Sequence, residues 1–175
     1  MNVKYLIIYG FVLFLLFSCK KEEENDSEGN QRERIESYLS GINAEYTAIN
    51  GVYRIFLNEE PVTGVRLDGG DSLYFNYAFF TFRNKPDSLL DTNIESIALE
   101  YNFDTRYLDF LERGIIYGET DILDGLERGL QGCQAGDTLM LFVPSKYAYG
   151  NKMSGMAKKS ATIAIFVSLE KVVKN

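Results

Sequence analysis

The sequence predicts an α+β fold: an antiparallel sheet wrapped around one short helix. Three observations lead there. Residues 72–82 alternate, with Leu73, Phe75, Tyr77 and Phe79 on one face, the period of a half-buried strand. Residues 138–143 and 162–172 are apolar runs of strand length. Between the first strand and these two, residues 122–130 place Ile122, Leu123, Leu126 and Leu130 on one side of an amphipathic helix.

The remaining elements follow in order. Residues 33–39 suit a short helix with Ile35, Tyr38 and Leu39 on one face, ended by Gly41. Residues 52–57 read as a strand, and Gly69-Gly70 as a turn before the alternating run. Residues 83–87 read as a loop. Ile94, Ile97, Ala98 and Tyr101 have helical spacing, and residues 115–117 form a short strand. Pro144 has no N–H to give a ladder, so the strand over 138–143 stops there. Tyr147 and Tyr149 then sit where a strand breaks into a loop, placed to line an apolar pocket and offer a hydroxyl.

Composition excludes more than it suggests. The chain has 175 residues, enough for one domain with appendages, and is 46% hydrophobic. Asp and Glu number 25 against 18 Lys and Arg, which argues against a nucleic-acid partner. There is no histidine, so Ser-His-Asp and Cys-His nucleophile pairs are absent, as is the commonest zinc ligand. Neither a Gly-x-Gly-x-x-Gly nor a Walker-type loop is present. No cofactor or metal is expected, and the domain is expected to act as a monomer.

The order of motifs is specific. Gly118-Glu119-Thr120-Asp121-Ile122-Leu123-Asp124-Gly125-Leu126-Glu127-Arg128-Gly129-Leu130 is followed by Pro144-Ser145-Lys146-Tyr147-Ala148-Tyr149-Gly150 and then Ala161-Thr162-Ile163-Ala164-Ile165. This succession resembles the FKBP-type peptidyl-prolyl isomerases over about residues 51–173, most closely over 114–169. The resemblance implies an FKBP-like domain at 51–175, with a helical insertion over 92–110. The chain also looks similar to the lipoprotein branch of that family, with its gliding-motility-associated members.

An X-Pro bond turns over a barrier of about 20 kcal/mol and needs neither nucleophile nor metal. The twisted state is less polar than the planar amide, so a dry, aromatic-lined pocket favours it. A chain without histidine can do this. The resemblance assigns Tyr77, Asp91 and Tyr149 as the polar catalytic residues. It assigns Leu90, Ile122, Leu123, Leu126, Met156 and Ile165 to substrate binding, Xaa-Pro segments being the substrate. Plain readings stand beside these. Leu123, Leu126 and Ile165 suit any core, Asp91 could cap the helix near Ile94, and Phe103-Asp104 rivals Leu90-Asp91. Where the family commonly has aromatic walls, Leu90, Leu126 and Ile165 stand here, and Met156-Ala157-Lys158-Lys159 replaces an Ile-Ile-Pro-Pro-like tip. The resemblance therefore implies either a modest isomerase or a non-catalytic binding module using the same groove.

The N-terminus carries a separate signal. Lys4 is followed by a mostly apolar run, 5–17, too short for an ordinary membrane span, ending in Leu16-Phe17-Ser18-Cys19. This resembles a bacterial lipoprotein cleavage box, with residues 1–18 as signal peptide and Cys19 acylated. Residues 19–34 read as an acidic tether and 35–50 as a helical lead-in. Glu22-Glu23-Glu24 resembles a surface-export signal, and a plain spacer suits it equally. Lys20 stands where aspartate would signal inner-membrane retention, so the outer membrane is expected, with envelope or exported proteins as clients. Cys133, left without a partner thiol, reads as a small buried hydrophobe. Mass spectrometry of the mature N-terminal peptide should show Cys19 first and acylated; an unmodified Cys19 or a retained Met1 would end the lipoprotein reading.

Overall fold

Residues 27–107, 109–150, 152 and 160–175 are described by the computed structural model. In chain order they form α1 (Glu28–Gly41), β1 (Thr47–Ile49), β2 (Val52–Phe56), β3 (Ser72–Phe82), β4 (Pro86–Thr92), α2 (Glu95–Glu100), β5 (Arg113–Ile116), α3 (Asp124–Leu130), β6 (Thr138–Val143) and β7 (Thr162–Val173). One-turn 3-10 helices lie at Thr105–Tyr107 and Ser145–Tyr147. The strands make one antiparallel sheet in the order β1-β2-β6-β7-β3-β4. Strand β5 pairs with the first part of β3 and β4 with the second. The expected α+β architecture is thus the one observed.

Strand β3 buries one face along its length and the other over its second half. Leu73, Phe75 and Tyr77 enter one core, with Leu126 and Leu130 of α3 and Leu139, Leu141, Ile163 and Ile165 of β6 and β7. Ala78, Phe80 and Phe82 enter a second core on the opposite face, under Ile35 and Leu39 of α1. Tyr38 meets Phe82 edge-on at 5.5 Å between ring centres, and Phe82 meets Phe142 at 5.2 Å. Helix α1 covers a sheet face that would otherwise be wet.

This corrects the tether boundary. Helix α1 starts at Glu28, well before residue 34, because Ser27 caps it, its Oγ accepting from Asn30 N–H at 3.3 Å. Gln31, Ile35 and Leu39 form its buried stripe. The polar composition of residues 28–34 had concealed a packed helix.

Strand β4 corrects a second expectation. Residues 83–87 had read as loop, yet Pro86 opens a strand, a position where its missing N–H is tolerated. The pairing Phe79–Asp91 then Phe80–Leu89 leaves Leu90 as an extra residue, a β-bulge. Between β4 and β5 the ladder along β3 is interrupted, and the side chain of Asn93 fills the gap. Its Oδ1 accepts from Tyr77 N–H at 2.7 Å, while its Nδ2 donates to Phe75 O at 3.3 Å and to Leu111 O at 2.8 Å. The amide of Asn93 thus stands in for a peptide group.

Helix α3 lies close on β6 because glycines face the sheet. A Cβ on Gly125 would come within 2.2 Å of Val143 Cγ1 and 3.0 Å of Tyr147 O. One on Gly129 would meet Leu141 Cδ1 at 2.4 Å. A Cβ on Gly29 in α1 would make only ordinary contact, with Ser27 Oγ at 3.9 Å. Gly125→Ala should therefore cost about 1–3 kcal/mol by overpacking, whereas Gly29→Ala should stabilise by about 0.5–1 kcal/mol. Urea denaturation of the two variants measures both, and equal midpoints would remove the close-packing account of α3.

Candidate active site

The alternating face of β3 supplies one wall of a cleft. Phe75, Tyr77 and Phe79 line it, with Asp91 from β4, Arg113 from β5, Ile122 and Leu123 from the approach to α3, and Leu126 from the helix itself. The cleft encloses about 70 Å³. That is narrow beside the roughly 300–1,000 Å³ of a drug-sized ligand site. Its rings lean on one another, Phe75 to Tyr77 at 5.9 Å and Tyr77 to Phe79 at 5.1 Å between centres. Leu126 is almost wholly buried and forms the floor.

One polar pair is set into this apolar surface. Tyr77 Oη donates to Asp91 Oδ2 at 3.1 Å. Burial pushes the phenol's pKa above its ordinary value, and the charge of Asp91 and the hydrogen bond to it push the same way; Arg113 acts against both. The phenol is therefore neutral, a donor throughout the neutral range. The bulge at Leu90 explains how Asp91 arrives. Strict alternation would send Leu90 and Asp91 to opposite faces, but Asp91 lines the cleft while Leu90 packs on the same core.

Five of the residues expected from the sequence meet here: Tyr77, Asp91, Ile122, Leu123 and Leu126. Leu90 lies beside them on the bulge. Ile165 is fully buried, opposite Phe79 in the sheet, so it belongs to the core under the cleft rather than to its wall. Tyr149, half-buried, packs against the same core just after the Ser145–Tyr147 turn and is not among the residues lining the cleft. Met156 and Cys19 lie outside the described residues. Asp91 does not cap α2; Ile94 precedes that helix, and its N–H donates to Thr92 Oγ1. Phe103 joins the second core and Asp104 pairs with Arg106, so that rival pair is away from the cleft.

Phe75, Phe79 and Arg113 were not expected in the site. The first two share the alternation that placed Tyr77, so the signal was there. Arg113 pairs with Phe75 across β3–β5, a register no periodicity announces. Cys133 is fully buried; burial lifts its thiol pKa to about 11, against the influence of nearby Arg54. Such a thiol is inert at neutral pH.

Two solved structures share this architecture. FkpA from Escherichia coli superposes with a TM-score of 0.60 at 15% identity, covering 99% of this chain and 74% of that one. A peptidyl-prolyl cis-trans isomerase from Pseudomonas syringae pv. tomato gives 0.57 at 16% identity, covering 85% and 97%. The fold is of the FKBP type. Residues 100–170 of this FKBP-type fold also match the sequence pattern of the family described as FKBP-type peptidyl-prolyl cis-trans isomerase. That stretch spans β5, α3, β6 and most of β7. No curated protein matches the chain.

Removing the phenol hydroxyl should leave the FKBP-type domain folded. Tyr77→Phe should cost about 0.5–1.5 kcal/mol, and Asp91→Ala should cost less in that background than in the wild type. Because the folded phenol's pKa is raised, this contribution is whole below the ordinary value of 10.0 and is lost as pH rises through the folded value. A double-mutant cycle by urea denaturation at neutral pH measures the coupling; strict additivity would mean that the bond contributes nothing.

Proposed function

We propose that this chain is a lipid-anchored peptidyl-prolyl cis-trans isomerase acting on Xaa-Pro segments of envelope or exported proteins. The observation that carries the reading is the Tyr77–Asp91 pair set in a narrow, ring-lined cleft of an FKBP-type fold. The matched family pattern over 100–170 supports the same activity. The lipoprotein-like segment ending at Cys19 supports anchoring at the outer membrane, and the short tether before α1 would hold the domain near that surface.

The cleft suits the chemistry. A prolyl ring entering it meets Phe75, Phe79 and Leu126 and loses water, and the less polar twisted amide gains relative to the planar one. No side-chain cap closes the start of α3, and Leu126 and Glu127 N–H already donate to Leu123 O, so a substrate carbonyl would meet the backbone ahead of them. Tyr77 and Asp91 provide a fixed polar edge that orients the peptide. Tyr149, on the segment beside the cleft, is proposed to contribute its hydroxyl at the rim.

With a floor of leucine and about 70 Å³ of space, the cleft should take one ring and hold the family's macrolide inhibitors poorly. Two-dimensional NMR exchange on a short Xaa-Pro peptide, with the full chain in detergent, should show catalysed interconversion. Tyr149→Phe should slow it about three- to ten-fold, the range of one lost hydrogen bond. Peptide binding without exchange would select the binding-module alternative; an unchanged rate for Tyr149→Phe would remove that residue from the mechanism.

A further inference from the structure

A single buried side chain of α1 ties down the segment beside the cleft from the opposite side of the sheet. Gln31 is 2% exposed, on the same stripe as Ile35 and Leu39. Its Oε1 accepts from Ser145 N–H at 2.8 Å, and its Nε2 donates to Ser145 Oγ at 2.9 Å and to Ser160 O at 3.4 Å. Ser145 and Ser160 are the two stems of the stretch that leaves β6 and returns to β7. They are joined again by Gly150 N–H to Ser145 O at 2.7 Å and by Ser160 N–H to Gly150 O at 2.9 Å. Between the stems lie Tyr147, whose ring sits under the Arg128 guanidinium at 4.5 Å, and Tyr149.

We propose that Gln31 is a positioning residue for substrate: it fixes both stems of the 145–160 stretch and so holds Tyr147 and Tyr149 beside the cleft. The inference rests on the isomerase reading for what the segment does, and on the hydrogen bonds alone for how it is held. A packed apolar residue at position 31 would serve the second core equally well. A buried amide that meets both a donor and an acceptor on one serine, and a carbonyl on the other stem, fixes the two stems relative to α1. Helix α1 is then part of the binding apparatus as well as a cover for the sheet.

Glutamine, glutamate and alanine at position 31 separate this role from a merely structural one. Gln31→Glu keeps the acceptor for Ser145 N–H and loses the donations to Ser145 Oγ and Ser160 O; Gln31→Ala loses these contacts together. Ser145→Ala removes one partner without touching α1. In the full chain, Gln31→Ala should raise KM for an Xaa-Pro peptide about five-fold, with kcat within about two-fold, the size of one or two lost hydrogen bonds. Gln31→Glu and Ser145→Ala should fall between it and the wild type. Amide hydrogen exchange should accelerate at Ser145, Tyr147 and Gly150 and stay unchanged at Phe80 in β3. Unchanged exchange at those three amides, or equal acceleration across the domain, would overturn the proposal, as would an unchanged KM. A wild-type protein that does not isomerise would sink the isomerase reading instead, and the amide exchange, with peptide affinity in place of KM, would still decide the role of Gln31.

Discussion

Burial of β3, on one face throughout and on both over its second half, is the constraint from which the rest of the molecule follows. A strand with one wet face tolerates a one-residue slip poorly; over 77–82, between two cores, it tolerates none, since side chains there would exchange one core for the other while Tyr74 and Asn76 turned inward. Phe75, Tyr77 and Phe79 are thereby fixed toward α3, and Phe80 and Phe82 toward α1. The same register sets Arg113 opposite Phe75 and Asp91 opposite Phe79. The cleft is the upper edge of a core that the strand cannot leave.

The floor is held from the other direction. Glycines bring α3 down onto β6, and Arg54 closes its far end, Nη1 donating to Gly129 O and Gln131 O at 2.9 Å each. Those carbonyls belong to the last turn, where helices leave acceptors unmet and where positive charge is favoured. The guanidinium also lies over the Phe56 ring at 4.7 Å, which shields it from water. Leu126 therefore occupies a helix fixed along its length.

Much of this was legible in the residues. The alternation over 72–82 and the apolar runs behind it read correctly because each is buried by one simple rule of period. Strand β4 did not, because Pro86, Asp87 and Ser88 are polar or turn-prone and a bulge breaks the alternation at Leu90. The start of α1 was missed because composition cannot tell a solvated glutamine from one whose hydrogen bonds permit burial. In the cleft, Tyr77, Asp91 and Leu126 were reached through motif order, whereas Arg113 depends on a strand pairing that only the folded sheet reveals. Ile165 was placed in the pocket by analogy, and the sheet sets it one layer below.

The amide of Asn93 has a consequence for how this fold can change. It joins β3 to both ends of the helical excursion, since Leu111 O and Phe75 O share its Nδ2. The excursion therefore has a closed neck, and beyond it Ile97 and Phe103 pack on the second core while the Tyr101 ring lies 5.3 Å from that of Phe80. Lengthening a loop already closed at its base adds little closure entropy, about 0.6 kcal/mol per doubling. The residues the excursion turns outward, Glu95, Ser96, Leu99 and Glu100, are in that sense exchangeable: they can be rewritten while Tyr77 keeps its backbone bond and the cleft its shape.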